Sequence, residues 1–514
     1  MSCLVSLCVS LWLAALAART SASSPDEDIN VLVLLPENNS YPFSIARVKP
    51  AIEYAKQAIK VNGPGQSSQL NFSIKYRNSE CGNHALFALI DECQTRPDLV
   101  LGPVCEYAAA GVARVASRWN IPMVTAGALA VGFDQKKPEY THLTRVAPSY
   151  MKMAETFASL FVEFNWKNAV LIYDDDKEER NCFFTMEGVY VILLHSDEYN
   201  VQHITIDPKE EKLDADEIVK NLHSEVVVIC AHAAIVREIM LAAHRRKMTN
   251  GSYIFFNIDL FNSTDYGLEG SWKRGDKYDK EARAAYSALN TVTLLRTVKP
   301  EFENFTIELK KSVQRPGVRD CKDCDNVNMF MEGFHDALLL YAIALHEAKK
   351  NGYSKKDGHE ITRHMWNRTF EGIAGQVSID TNGDREGDFS VMSMTDREAG
   401  TYETVMNYFG VNGTFQVTPG FNSGKFLLHE KPIARPPSEH GTTPDMSSSG
   451  GLGVSAVTGI IVGALLGAAL LMAFYFFRKN YRITIERRTN REECNAGKHR
   501  QLREDSIRSN FSTA

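Results

Sequence analysis

Two stretches of this chain have the residue types and spacing of metal or redox chemistry. "CKDC", residues 321–324, separates two thiols as zinc sites and redox dithiols do. No second cysteine pair or nearby histidine pair completes a zinc set, and no βαβ start precedes it, so its surroundings favour a local disulfide. "DTNGDREGDFSV", residues 380–391, has carboxylates and a carboxamide spaced somewhat like a calcium loop. The sharp-turn position six would be Arg385 and the bidentate position twelve Val391, so calcium is not expected. Gly-x-Ser-x-Gly, Gly-x-Gly-x-x-Gly, the phosphate-binding lysine loop and His-Glu-x-x-His are absent, and the 14 histidines form no cluster. Neither catalysis nor a metal is expected; the chemistry left is recognition.

The remaining cysteines indicate the compartment. Cys3 and Cys8 fall in "CLVSLCVSLWLAALA", too short to span a membrane and followed by small residues, which reads as a signal peptide over 1–23. A signal-anchor is the alternative, but it would leave the Asn-x-Ser/Thr triplets at Asn38, Asn71, Asn250, Asn262, Asn304, Asn367 and Asn412 in the cytosol. From Val454 to Phe477 no charge occurs over 24 residues. At ~1.5 Å per residue that is ~36 Å of helix, enough to cross a ~30 Å hydrocarbon core. Arg478 and Lys479 mark the cytoplasmic side. The tail 478–514 holds 10 Lys/Arg against 5 Asp/Glu, whereas the whole chain is −6, so residues 1–477 carry −11. The expected topology is single-pass, type I, in the plasma membrane, with an acidic exterior suited to a cationic soluble partner and not to nucleic acid. Seven cysteines then lie outside: Cys81, Cys93, Cys105, Cys182, Cys230, Cys321 and Cys324. An odd number leaves one thiol over, free or shared with another chain.

The elements that position these groups alternate. "INVLVLLP", "LVLGPV", "IPMVTAGA", "NAVLIYDDD", "EVVVICA" and "GSYIFFNID" are short apolar runs, hence buried strands. Between them "KPAIEYAKQAIKV", with Ile52, Ala55 and Ile59 at helical spacing, "MKMAETFASLFVEF" and "AAIVREIMLAAHRR" read as amphipathic helices. About 400 residues (24–430) are too many for one core, so two α/β lobes with parallel sheets are expected. Ligands of such folds sit at the carboxyl ends of strands or between lobes. "GQVSIDTNGDREGDFSV" predicts a hairpin turning at Asn382-Gly383. Residues 431–453, rich in Pro, Ser and Gly, read as a stalk before the span at 454–477.

"LGPVCEYAAAGVARVASRWNIPMVTAGA", "ERNCFFTMEGV", "GSWKRGDKYD", "NMFMEGFHDALLLYAIALHEA" and "TFEGIAGQVSIDTNGDR" resemble the natriuretic peptide receptors. The span and tail, "SAVTGIIVGALLGAALLMAFYFFRKNYRITIERRT" to "HRQLREDSIRSNFSTA", are similar to the clearance (type C) branch, with a fish type D paralogue left open. The resemblance implies a periplasmic-binding-protein-like (type I) ectodomain whose lobes exchange strands. It also implies a homodimer formed through the membrane-distal lobe, with one cyclic natriuretic peptide between two protomers. Disulfides Cys81–Cys105 and Cys182–Cys230 follow from it, with Cys93 the main competitor. So does a chloride ion held by Ser79 and the backbone N–H groups of Val104 and Cys105, where adjacent N–H groups would form an anion nest.

The same resemblance carries hormone contacts to Tyr107, Arg114, Phe183, Glu187 and Val191, and to Asn83, which stands where a relative has an acidic contact. Natriuretic peptides present Arg side chains and a Phe, so carboxylates and an aromatic cleft suit them. Read singly, Phe183 is a core residue and Glu187 a solvated helix position. With no cyclase domain after the span, the implied roles are clearance by internalisation and contact of the tail with inhibitory G proteins. "RRTNR" and "KHRQLR" supply basic runs for that contact, although a solvated basic tail explains them equally. The stalk has no cysteine to join two chains, so dimerisation falls to the ectodomain, helped by Gly459, Gly463 and Gly467 along one face of the span.

Overall fold

The computed structural model describes residues 28–62, 70–209, 213–260, 272–295, 299–313 and 326–418. The signal peptide, Asn262, Cys321, Cys324, the stalk, the span and the tail lie outside these residues. No helix among the described residues is long and apolar enough to cross a membrane.

Every expected apolar run forms a strand. β1 (Ile29–Leu35), β3 (Leu99–Leu101), β4 (Met123–Thr125), β6 (Asn168–Asp174), β8 (Val226–Cys230) and β9 (Ile254–Ile258) are buried over most of their length. Both faces of a parallel sheet are covered by helices, so such strands are apolar throughout and do not alternate. With β2 (Phe72–Asn78) and β5 (Leu143–Pro148) the first lobe has a parallel order β2-β1-β3-β4-β5. The second lobe repeats that order as β7-β6-β8-β9-β10, with β7 at Asn200–Ile206 and β10 at Leu289–Leu294.

The C-terminal third extends both sheets. β11 (Arg368–Glu371), β12 (Gln376–Ile379) and β13 (Asp384–Arg385) join the first beyond β5. β14 (Asp388–Asp396), β15 (Thr401–Phe409) and β16 (Thr414–Val417) join the second beyond β10, each antiparallel to the strand before it in the sheet. The lobes therefore exchange strands.

Helices cover the sheets with their apolar stripes. α1 (Ile45–Asn62) begins four residues before the expected stretch and holds Pro50 inside it. A proline there forfeits one backbone bond, which the burial of Val48, Ile52, Ala55 and Ile59 offsets. α2 (His84–Asp91) and α3 (Glu106–Arg118) complete that side of the first lobe. α4 (Tyr150–Glu163) follows β5 into the second lobe; the Ser149 side chain caps it by accepting from Lys152 N. Tyr150, Met153, Ala154, Phe157, Leu160 and Phe161 form its buried stripe. α5 (Asn181–Leu194), α6 (Ala215–Lys220), α7 (Ala233–Arg245) and α8 (Asp279–Tyr286) complete the described helices of the second lobe. α9 (Pro300–Val313), α10 (Met329–Lys350) and α11 (Gly358–Met365) return to the first.

The expected hairpin at Asn382-Gly383 is only partly present. The turn forms: Gly383 N donates to Asp380 O at 3.1 Å, and Gly383 has φ +81°. The strands, however, pair only at Ile379↔Arg385, and β14 then leaves for the other lobe. Asp384 explains the departure. Its Oδ1 accepts from Lys136 Nζ and from Arg145 Nε, each at 2.6 Å, which draws β13 alongside β5. Asn382 Nδ2 adds bonds to Asp384 Oδ2 at 2.9 Å and Asp134 O at 2.8 Å. The carboxylates of the calcium-like stretch thus fasten a crossover. Gly387 lets it pass, since a Cβ there would lie 2.6 Å from Pro148 Cβ, on the first crossing.

Candidate functional site

The two loops that follow β3 and β6 meet at the mouth of the cleft between the lobes. In the first lobe, Cys105 precedes α3 and is joined to Cys81, with Cα atoms 5.2 Å apart. Cys182, at the start of α5, is joined to Cys230 at the end of β8, with Cα atoms 5.3 Å apart. Both expected disulfides are present, and Cys93 is free and exposed.

α5 divides its residues by face. Thr185, Met186, Gly188, Val189 and Leu193 are buried, and Gly188 lies so close to α4 that a Cβ would come within 2.8 Å of Tyr150 O. Phe183, Glu187 and Val191, four residues apart, are half-buried along the other side. Across the cleft, Tyr107 stands 44% exposed on α3 and meets Phe184 edge-on at 5.7 Å. Phe183 continues the cluster, 5.3 Å from Phe184. Burial pushes the Glu187 carboxyl up while Arg180 opposes the shift. The structure therefore gathers Tyr107, Phe183 and Glu187 around one aromatic seam.

Two expected residues stand apart from this seam. Arg114, two turns along α3 from Tyr107, donates from Nε to Glu139 Oε2 at 2.6 Å and lies over the Tyr140 ring at 5.1 Å. Asn83 is exposed at the start of α2, and its side chain makes no capping hydrogen bond.

Behind the seam is a cavity of about 120 Å³ whose lining includes Tyr41, Glu106 and Tyr107 from the first lobe and Tyr150, Glu179 and Asn181 from the second. Burial and the nearby Glu179 carboxylate push the Tyr41 phenol up to about 12. Glu106 is deeply buried and accepts from Leu129 N at 3.0 Å and Ala130 N at 3.3 Å. Burial outweighs these bonds and raises its carboxyl to about 7. A raised carboxyl favours the fold below its unfolded value near 4.5, and that contribution is lost as the pH rises through about 7. Glu106→Gln abolishes this titration but sets an amide NH2 against one of the two backbone N–H donors, so its stability relative to the parent is expected to be ~2–3 kcal/mol higher at about pH 8 than at about pH 5. Thermal unfolding at both values checks this, and equal shifts at the two would sink it.

The chloride expectation can be weighed on the same loops. Val104 is pinned from below: Ala128 N donates to Val104 O at 2.8 Å, and a Cβ on Gly127 would lie 2.5 Å from Val104 Cα. This holds the Val104 and Cys105 N–H groups in place at the start of α3, where an anion is favoured. Ser79 is fully buried, but its hydroxyl donates to Glu80 O at 2.9 Å and would have to turn to reach an anion. The loop backbone is held at a helix start, which is compatible with an anion, whereas the Ser79 hydroxyl is turned to Glu80 O.

A family model described as "Receptor family ligand binding region" matches residues 47–397. Human atrial natriuretic peptide receptor 3 is 56% identical over 507 residues, which cover 95% of this chain and 91% of that protein. The chain belongs to the natriuretic peptide receptor family. The mouse receptor 3 is likewise 56% identical, over 92% of its length. Rat atrial natriuretic peptide receptor 2 is 33% identical over 74% of this chain but only 37% of its own length. The family match over residues 47–397 and the likeness to receptor 3 along almost the whole of both chains make this protein a receptor.

Some site residues were not legible beforehand. Phe184, Arg180, Tyr41, Glu106 and Glu179 all lie at the cleft; the motif "ERNCFF" spans Glu179, Arg180 and Phe184, "LGPVCEY" spans Glu106, and nothing pointed to Tyr41. All six sequon asparagines among the described residues are exposed, as sugar attachment needs.

Proposed function

We propose that this receptor binds natriuretic peptides at the cell surface and removes them by carrying them inside. The aromatic seam of Tyr107, Phe184 and Phe183 beside Glu187, on a chain so similar to receptor 3, supports this reading most directly. An aromatic cleft flanked by a carboxylate complements a peptide bearing Phe and Arg side chains. The peptide lies between two copies of the chain, and dimerisation rests on the ectodomain and the span. A single span at 454–477 holds the protein in the plasma membrane with its N-terminus outside, and the basic tail contacts inhibitory G proteins. Chloride, where bound, supplies charge to the Val104 and Cys105 N–H groups and steadies the start of α3.

Competition with labelled peptide on cells expressing the full chain tests the reading. Tyr107→Ala and Glu187→Ala are each expected to weaken binding by ~2 kcal/mol, about 30-fold, without loss of surface expression. Unchanged affinity in both would remove the seam from the hormone contact. Uptake of the label without a rise in cyclic GMP is expected, and a rise through this chain alone would refute clearance.

A further inference from the structure

Residues 1–477 are acidic as a whole, yet one face of the second lobe gathers cations. The stretch "WKRGDKYDK", residues 272–280, leads into α8 and packs beside α7. Its two aspartates are turned inward. Arg237 on α7, only 5% exposed, donates to Asp276 Oδ2 at 2.9 Å, to Asp276 Oδ1 at 2.8 Å and to Asp279 Oδ1 at 3.0 Å. The same carboxylates fix the loop backbone. Asp279 accepts from Arg274 N at 2.9 Å and Gly275 N at 2.8 Å, and Asp276 accepts from Tyr278 N at 2.9 Å. Lys273, Arg274, Lys277 and Lys280 are left exposed, with no ion pair to a described residue. Lys247, two residues past Arg245 at the end of α7, is exposed and unpaired in the same way. Tyr278 stands at this face, 38% exposed, with Lys277 Nζ 4.8 Å and Arg245 Cζ 5.4 Å from its ring centre.

We propose that this face binds a sulfated polysaccharide, a heparin-like chain of the cell surface. The proposal goes beyond hormone binding and rests only on the placing of this lobe outside the cell. An ordinary solvated surface mixes charges of both signs. Here a buried arginine takes up both acids of the loop, so the outward field is positive although residues 1–477 carry −11. Helix-end electrostatics account for Arg245 in the last turn of α7, but Lys273, Arg274 and Lys277 lie ahead of α8, where cations are disfavoured. The pinned backbone holds the cations in place, so the loop loses little freedom on binding. Tyr278 adds a ring face for a sugar to pack on between sulfate contacts. An anionic membrane suits the face less well. Membrane-surface elements present Trp, Phe or Leu beside their cations, whereas Tyr278 is the one large apolar side chain exposed on α7, α8 and residues 272–278.

The test measures heparin binding to the solubilised full chain over a range of salt concentrations. The triple variant Lys273→Ala, Arg274→Ala, Lys277→Ala leaves Asp276, Asp279 and Arg237 untouched. It is expected to weaken binding about tenfold at about 150 mM salt and to reduce the slope of log K against log salt by about 2, because each cation removed releases nearly one counterion fewer. Thermal unfolding and natriuretic peptide binding should stay as in the parent. The tail is basic as well, so Arg487→Ala, Arg488→Ala, Arg491→Ala is the comparator and should lose less. Unchanged heparin binding in the loop variant, or a larger loss in the tail variant, would overturn the inference. So would a loop variant that loses phosphatidylserine vesicles but keeps heparin, which would assign the face to a membrane. If the triple variant fails to fold, Lys273→Ala and Lys277→Ala decide singly, each expected to reduce the slope by nearly one. A parent that binds heparin but no natriuretic peptide would overturn the proposed function and leave this inference standing.

Discussion

Asp384→Ala is expected to cost about 3–5 kcal/mol and to sharply reduce the amount of receptor at the surface. Asp384 is 3% exposed, and its loss would strand Arg145 at 0% and Lys136 at 5% exposure. Removing one partner from a buried ion cluster leaves charge without compensation, which is far worse than losing a surface pair. Asp134 would still meet Arg145, but Lys136 would lose its ion pair with Asp384. Burial pushes Asp384 up, yet Arg145 and Lys136 overcome it and hold the carboxyl down at about 2. A lowered carboxyl stabilises the fold above its unfolded value near 3.8, and the contribution is lost as the pH falls through about 2. The penalty should therefore be complete at neutral pH and shrink below about pH 4. Surface staining and thermal unfolding of the solubilised receptor measure it, and a loss under about 1 kcal/mol would show that the crossover does not depend on this cluster.

Replacing both Cys182 and Cys230 with serine is expected to lower stability by about 4 kcal/mol, from release of a loop with sequence separation 48. The functional effect should exceed what stability alone implies. The bond ties the first turn of α5 to the end of β8; the same turn carries Phe183 and Phe184, and Glu187 follows one turn on. Freed there, α5 keeps its buried face against α4 but loses the anchor nearest the seam. Hormone affinity measured at a temperature where the variant remains folded should fall at least tenfold. Unchanged affinity under those conditions would mean that packing alone sets the seam.

The amino-acid sequence by itself determined the parts of this protein that depend on local pattern. Six apolar runs could only be buried strands, and their alternation with amphipathic helices fixed two parallel α/β lobes. Motif resemblance was specific enough to pair Cys81 with Cys105 and Cys182 with Cys230, and it named Tyr107 and Phe183, whose rings the structure brings to Phe184. What the tertiary structure decided is where distant segments meet. "DTNGD" reads as a hairpin turn or a poor calcium loop, because nothing nearby in sequence reveals that Asp384 faces Arg145, 239 residues away. Arg114 matched a motif, yet Glu139 and Tyr140 hold its side chain. Arg180 looked like any charged residue before a helix, because its left-handed backbone and its place over the Phe183 ring appear only in the folded loop. Short-range periodicity encodes which face of an element is buried, whereas long-range contacts choose among many compatible partners and are settled only by packing the whole chain.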